Sequence, residues 1–574
     1  MIFFRRGGAA PRTHTVLLLL IAVLTFVVPV SAQEGSGVVR VALTNRVDEL
    51  TTLNPLLCGD ELCRRVTDLM FSSFLHVDPE TGQYAPAGAD TTALVTDWTI
   101  SDDATVYTFT VRDDLQWSDG TPVSAIDAVY SLRAATNPDL DSRYYRGIFE
   151  DIIVSITAPD ERTVQVTFAE PTCRGLFWLD IPVLSALAID PTPGFLVDDE
   201  YDYTTLVRNP YSINPVTSGD YVIDEIRLPE FVRLNAVDSE QVYEFVYISG
   251  DLTEMEALYR DRIDYITNVG DIENVAEYAA NDVTVSDGPW SGVYALAMNL
   301  ADPFNPRPFD TDDEDGQGIH PVFGDARVRE AVSLGVNVDE MIDRAWFGYG
   351  TPVSTLAVPG TWYANDDLTT NVYDYDRARQ LLNEAGWRDT NNNGVLECRT
   401  CETAPEGTLL RVRLLNPNEN VRRNAVVFVV AQQLRRLGFE VDVIGASPNS
   451  QDYDMAVVFY DPGYPYDPES TFATFATERD EPNEFDSNFT SYSNPRVDEL
   501  LQQASTDLCA DPDAQAAAYA KVQRILAEDM PIVPLFAPHR LHAASNRVRN
   551  FDPYPEDPLW NLTGWVVTNV EVRP

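Results

Sequence analysis

The sequence predicts an α/β protein, on three observations. Leu410, Val412 and Leu414 alternate, an apolar helical face of Val426, Val427, Val430, Leu434 and Leu437 follows and stops at Gly438, and alternation returns at Phe439, Val441 and Val443. That is a strand, helix, strand unit, expected to be parallel and right-handed. Between about 80 and 210 the alternation is instead that of hairpins: Ile152, Val154 and Ile156 answer Val164, Val166 and Phe168 across the turn Ala158 to Glu161. With 574 residues, 44% of them apolar, the chain is long enough for two to four domains or one large bilobed body.

Charge and the N-terminus narrow the function classes. Ninety acidic residues against 40 basic ones give a formal charge of −50, which repels a phosphate polyanion, so no nucleic-acid partner is expected. Arg5, Arg6 and Arg12 precede an apolar run, Val16 to Val28, too short to favour a membrane span, and Val30-Ser31-Ala32 makes a small-residue cleavage site before Gln33. Residues 1–32 are therefore expected to be a signal peptide whose loss takes three arginines and moves the charge from −50 to −53. The cleavage site carries no cysteine, so no lipid anchor is expected, and the mature protein should be soluble outside the cytoplasm.

Six cysteines in that compartment are first candidates for disulfides. Cys58 and Cys63 are close enough to bridge, as are Cys398 and Cys401; Cys173 and Cys509 are left to pair over distance or stay free. Zinc at Cys398 and Cys401 would need two more ligands, and His76, His320, His539 and His542 have no spacing that supplies them. No metal or cofactor is expected.

Taken in order, Val38 to Leu43 reads as a strand, and a helix follows with Val66, Leu69, Met70 and Phe74 on one side. Leu75 to Pro86 turns back on itself around Asp78 to Gly82. In Thr105 to Tyr130, Tyr107, Phe109 and Val111 mark a strand with one buried face; Asp113, Asp114, Asp119, Gly120 and Pro122 form turns around Trp117; Ser124 can cap a helix carrying Ile126, Val129 and Leu132. A buried strand is expected at Tyr294 to Asn299, with a helix from Met255 to Ile263 before it. Residues 301–319 are acidic and rich in proline and glycine and read as an exposed loop, in which Asp310 to Asp315 only weakly suggests a calcium site. Helices are then expected around Val328, Ala331 and Val332, from a cap at Asp339, and through Ala378, Leu381 and Leu382 to a stop at Gly386. Asp389 to Gly394 copies the first half of a calcium loop, but its twelfth position is Thr400, and a plain Asn-Gly turn suffices. Met455 to Tyr460 is a wholly apolar strand.

The order of residue types in Tyr107, Phe109, Val111, Arg112, Trp117, Asp119, Gly120, Pro122, Ala125, Asp127 and Val129 closely resembles the signature of family 5 of the bacterial extracellular solute-binding proteins. These are the peptide-, nickel- and oligosaccharide-capturing subunits of ATP-binding-cassette importers. Arg327 to Ala331, Asp374 to Ala378, Leu381 to Trp387, Tyr492 to Pro495 and Pro531 to Phe536 match further family phrases, so the resemblance runs over about 38–552, although Asp220 stands where proline is usual. It implies a bilobed periplasmic-binding-protein-like fold of type II in three segments: 33–79, 215–295 and 533–574 as a discontinuous domain I, 80–214 as domain II inserted in the same lobe, and 296–532 as the second lobe. It also implies a monomer that captures a peptide-like or other small polar solute and delivers it to a membrane permease. An oligosaccharide is the alternative cargo. A secreted hydrolase is the rival class, but the chain has no Gly-x-Ser-x-Gly elbow, no His-Glu-x-x-His and no cysteine–histidine signal, so no enzyme is expected.

Ligands of open α/β sheets bind beyond the carboxyl ends of the strands, here Asn416 to Arg423 and Tyr460 to Asp467. The candidate contacts are Asn416, Arg422, Arg423, Tyr460, Asp461, Tyr464, Tyr466 and Asp467. Arg422 and Arg423 begin a helix, where unpaired N–H groups add to a positive field and would receive a carboxylate, unless they are simply a solvated basic pair. The tyrosines fit either a core or a loop lining a cleft. In dipeptide-binding members of the family an arginine in a similar phrase takes the peptide carboxylate, and an aspartate before an Asp-Pro pair holds the amine. Asp467-Pro468 is such a pair, yet Tyr464 occupies the aspartate's place, so either Asp461 turns in or the solute has no free amine there.

Overall fold

One strand, Ile532–Ser545, is shared by two half-sheets of a single hydrogen-bonded sheet of 12 strands. The computed structural model describes residues 37–43, 49–88, 91–196, 201–248, 251–279, 283–302, 318–369, 372–416, 420–445, 453–480 and 488–568. The cleavage site before Gln33 and the acidic stretch Asp310 to Asp315 lie outside them.

The first half of the shared strand pairs with Val293–Met298 and Gly350–Pro352. Beyond Val293–Met298 come Met455–Tyr460, Arg411–Leu415 and Glu440–Ile444, the last two pairs parallel. The second half pairs with Val283–Pro289 and Tyr265–Ile266, and the sheet continues through Val38–Leu43, Val242–Tyr247, Phe231–Ala236 and Tyr221–Arg227. Two prolines sit in the shared strand without ending it. Pro534 falls opposite Ala295, where the register shifts, and Pro538 pairs with Gly350 at the end of that short partner.

A second sheet of four antiparallel strands, in the order Val95–Ile100, Val106–Val111, Thr163–Phe168, Ile153–Asp160, is packed by the helix Ala125–Ala135. Its core is continuous with that under Val38–Leu43, since Phe74, Phe109, Val164, Val41 and Tyr243 belong to one buried cluster. The signature residues are the frame of this region. Trp117 is buried and its Nε1 donates to Asp127 Oδ2 at 3.4 Å; the Ser124 amide donates to the same oxygen at 2.9 Å, closing a capping box. Asp127 Oδ1 accepts from the Ala186 amide at 2.8 Å, and Ser131 Oγ accepts from that of Leu184 at 2.7 Å. One carboxylate thus caps a helix and ties it to a segment 59 residues away.

Several elements differ from expectation in their limits. The first helix is Glu61–Met70; Phe71 turns extended (φ −123°, ψ 140°), so Phe74 lies past the helix, although still buried. The expected Met255 to Ile263 helix is Asp251–Tyr259, followed by Asp261 at φ 55°. Asn337, not Asp339, caps Val338–Trp346 by accepting from the Glu340 amide at 3.0 Å, leaving Asp339 in the first turn. In the Asp389 turn both carboxylate oxygens accept amides of the loop itself, from Asn393 and Gly394. The structure pairs Cys58 with Cys63, Cys398 with Cys401 and Cys173 with Cys509.

Candidate functional site

The strand, helix, strand unit ends where the site begins. Arg411–Leu415 leads to Asn416, and Asn420 opens the helix Val421–Leu437 by accepting from the amides of both Arg422 and Arg423, at 3.0 and 3.2 Å. This corrects the expectation of unpaired amides at that turn: the Asn420 side chain already occupies them. What remains for a solute is the Arg423 guanidinium and the helix field.

The two arginines are placed differently. Arg422 bonds the carbonyl of Gly270 and stacks its guanidinium 5.3 Å from the centre of the Trp346 ring. Arg423 lies against the Tyr294 hydroxyl; burial raises the Tyr294 pKa and the Arg423 charge partly offsets it. Arg423 Nε is buried with no hydrogen-bond partner among the described residues, and so is Asn416 Oδ1, whose amide nitrogen donates to Asn424 Oδ1 at 2.5 Å.

Tyr294 belongs to an aromatic group that alternation along two paired strands assembles. Tyr294 and Phe459 are register partners with ring centres 4.8 Å apart, Trp290 packs on Phe459 at 5.2 Å, and Trp346 and Phe536 pack behind Tyr294. Gly292 is required here, because a Cβ would stand 2.2 Å from the Phe459 ring. Arg540 lies over Trp290 at 4.7 Å and bonds Glu556 at 3.0 Å; Glu556 also accepts the Ser291 amide at 2.7 Å.

The second candidate segment divides. Tyr460 points to the opposite face from Phe459, buried in the core and stacked on Phe475 at 6.0 Å, so its ring packs the interior instead of lining the cleft. Asp461 is exposed, and its Oδ1 accepts from Ser291 Oγ at 2.8 Å and from the Gly463 amide. Tyr464 has a buried hydroxyl with no partner among the described residues, and Asp557, Glu556 and Asp78 are close enough to raise its pKa further above what burial does. Burial also lifts Asp557 to about 6. Tyr466 lays its ring over Gly82, where a Cβ would stand 2.4 Å away, and its amide donates to the Gly82 carbonyl at 3.2 Å. Asp467 is buried and bonds Arg174 at 2.5 Å; burial raises its pKa and Arg174 lowers it. Asp467 is therefore engaged by the protein.

The structure thus brings Arg422 and Arg423 within one aromatic cluster of Asp461, and sets Tyr464, Tyr466 and Asp467 against the first half of the chain. Sequence reasoning missed Trp290, Ser291, Tyr294, Phe459, Arg540 and Glu556. The signal for three of them was the phrase Trp290-Ser-Gly-Val-Tyr294, a large ring and two small residues entering a buried strand; Arg540 and Glu556 had none, because their partners are remote in sequence. The arrangement offers cations and aromatic faces at one end and carboxylates at the other.

The family model described as "Bacterial extracellular solute-binding proteins, family 5 Middle" matches residues 91–483. The oligopeptide-binding protein AppA of Bacillus subtilis is 21% identical over 93% of this chain and 92% of its own length. The nickel-binding periplasmic protein of Escherichia coli is 26% identical over 73% of this chain and 76% of its own. In fold, the chain superposes on an ATP-binding-cassette transporter substrate-binding protein from Sinorhizobium meliloti with a TM-score of 0.72 at 20% identity, covering 93% of this chain and all of that one. The molecule has the bilobed α/β fold of such proteins.

Proposed function

The chain belongs to the bacterial extracellular solute-binding proteins of family 5, and on that premise we propose that it captures a peptide-like, anionic solute between its lobes and hands it to the permease of an ATP-binding-cassette importer. The observation that carries the choice of solute is Arg423. It stands at the carboxyl end of Arg411–Leu415, on the first turn of a helix, with a buried Nε that no described residue satisfies. A carboxylate there would gain a charge-assisted hydrogen bond and the helix field together. Trp290 and Phe459, both partly exposed, would take the body of the solute.

The remaining parts of the reading have their own support. Removal of residues 1–32 and a place outside the cytoplasm rest on the N-terminal pattern and on the family; action as a monomer rests on the family alone. The lobe division 33–79, 215–295 and 533–574, with 80–214 inserted, against 296–532, is supported by the two half-sheets on either side of Ile532–Ser545. A second cargo, an oligosaccharide or a peptide with a blocked amine, is favoured by Tyr464 alone, a neutral phenol where peptide-binding members keep an aspartate.

Mass spectrometry of material released on denaturing the purified protein tests the reading. An acidic peptide-like compound in equimolar amount supports it. A neutral sugar moves the assignment to the second cargo, and a released compound that is a cleavage product would return the chain to the hydrolases.

A further inference from the structure

Of the three disulfides, two are local, closing 5 and 3 residues, and each has at least one fully buried cysteine. The third joins Cys173 to Cys509 across 336 residues, with Cα atoms 4.5 Å apart and both cysteines partly exposed. Cys173 follows the last strand of the four-stranded sheet, and Cys509 precedes the helix Pro512–Asp529 of the other half of the molecule. Neither lies on the strands that join the half-sheets.

The bridge sits in a patch of contacts between the same two regions. The Cys173 amide donates to the Ser505 carbonyl at 2.9 Å. Arg174, beside it, bonds Asp467 at 2.5 Å while its guanidinium lies 5.4 and 5.5 Å from the ring centres of Phe177 and Trp178. Tyr466 covers Gly82. A cavity of about 160 Å³ remains among these groups, lined by Tyr84, Trp98, Arg174, Trp362, Glu469 and Tyr519, so the non-covalent contact is incomplete. A contact that is partly open and carries one buried ion pair is one that thermal motion separates; a covalent bond across it is what holds it shut.

We propose that Cys173–Cys509 is a redox-controlled latch on the opening of the lobes. In the disulfide form it pins the inserted antiparallel sheet to the Cys509 side and slows exchange of whatever lies between. A dithiol reductant attacks one exposed sulfur, and the mixed disulfide resolves: two electrons and two protons pass to the bridge, giving two cysteine thiols, and the reductant leaves as its own disulfide. Both of its cysteines are partly exposed, whereas Cys58 and Cys63 are both buried and the Cys398–Cys401 bridge exposes Cys401 alone, so this bridge is the first to be reached. The inference concerns motion and is independent of which solute is bound.

The test uses the purified protein and dithiothreitol, with alkylation to report which thiols form. Cys173 and Cys509 should be alkylated before Cys58, Cys63, Cys398 and Cys401. At that stage the radius of gyration from small-angle scattering should rise, and amide exchange at residues 172–175 and 503–510 should quicken by about tenfold. Cys173→Ser/Cys509→Ser should show the same expanded state without reductant and no further response to it. Because the wild type is read before and after reduction, a variant that fails to fold does not decide the matter. Full alkylation of Cys173 and Cys509 with unchanged scattering and exchange overturns the latch, and so does earlier reduction of either local bridge. Neither result touches solute capture, which the released-compound measurement judges separately.

Discussion

The Asp127 carboxylate and three polar atoms between Asn416 and Asp467 are treated in opposite ways. Asp127 accepts from Ser124, Trp117 and Ala186, and each donor is consumed by the fold. In the other region Asn416 Oδ1, Arg423 Nε and Tyr464 Oη are buried without partners among the described residues. A buried polar group left unpaired costs about 1–3 kcal/mol, so each of these three carries a cost that the Asp127 network avoids. The signature residues around Asp127 therefore hold the frame, and the candidate contacts Asn416, Arg423 and Tyr464 each carry an atom that the frame leaves unfinished.

That contrast breaks first if the frame is not a frame. Asp127→Ala strands the Ala186 amide, the Ser124 cap and Trp117 together, and urea unfolding should show a loss of about 3 kcal/mol or more. A loss below about 1 kcal/mol would mean that Asp127 is as dispensable as an ordinary surface acid. Next comes the cleft. Arg423→Met should weaken an acidic cargo by about 1.5–3 kcal/mol in calorimetry while leaving unfolding little changed. Arg422→Met should do the reverse, costing stability through its Trp346 and Gly270 contacts and binding less. Equal effects of the two on both measurements would erase the distinction between structural and receiving arginine.

A smaller effect comes from pH. Burial raises Asp180 and Glu469 to about 7 and Asp557 to about 6, so the folded state holds protons there that the unfolded state has released. Stability from these three falls as pH rises from the ordinary carboxylate range near about 4 through about 7, since the unfolded chain then binds fewer protons. His542, lowered to about 4 by burial, acts in the other direction, costing stability as pH falls below its ordinary value. Three carboxyls outweigh one imidazole, so melting temperature should be higher at pH 5 than at pH 7.5, and Glu469→Gln should flatten the slope. The smallest effect should come from salt: with a formal charge of −50, added sodium chloride should raise the melting temperature modestly by screening self-repulsion, without discriminating between the two regions.

Much of this is legible in the sequence. Alternation at Leu410 to Val443 and the glycine stop at Gly438 (φ +107°) give the parallel unit directly, because burial on one face leaves period-two and period-3.6 marks. The shared strand Ile532–Ser545 was not legible as such. Pro534 and Pro538 argue against a central strand, and only the register shift and the short Gly350–Pro352 partner explain how the ladder accommodates them. Arg422 and Arg423 look alike in sequence, and what separates them is Trp346 and Gly270 on one side and Tyr294 on the other. Tyr460 and Phe459 were equally ambiguous, since a one-residue step along a strand sends side chains to opposite faces. The Cys173 to Cys509 pairing spans too much chain for spacing to speak.

The shared strand has a mechanical consequence. Paired on one flank or the other along nearly all of its 14 residues by Val293–Met298, Gly350–Pro352, Val283–Pro289 and Tyr265–Ile266, it offers no long unpaired stretch at which rotation could concentrate as in a door hinge. Relative rotation of the half-sheets must be spread along it as added or relieved twist, a few degrees per residue, as in a torsion bar. A torsion bar returns what is put into it, so any rotation of one half-sheet against the other works against a rest position set by the strand's own twist.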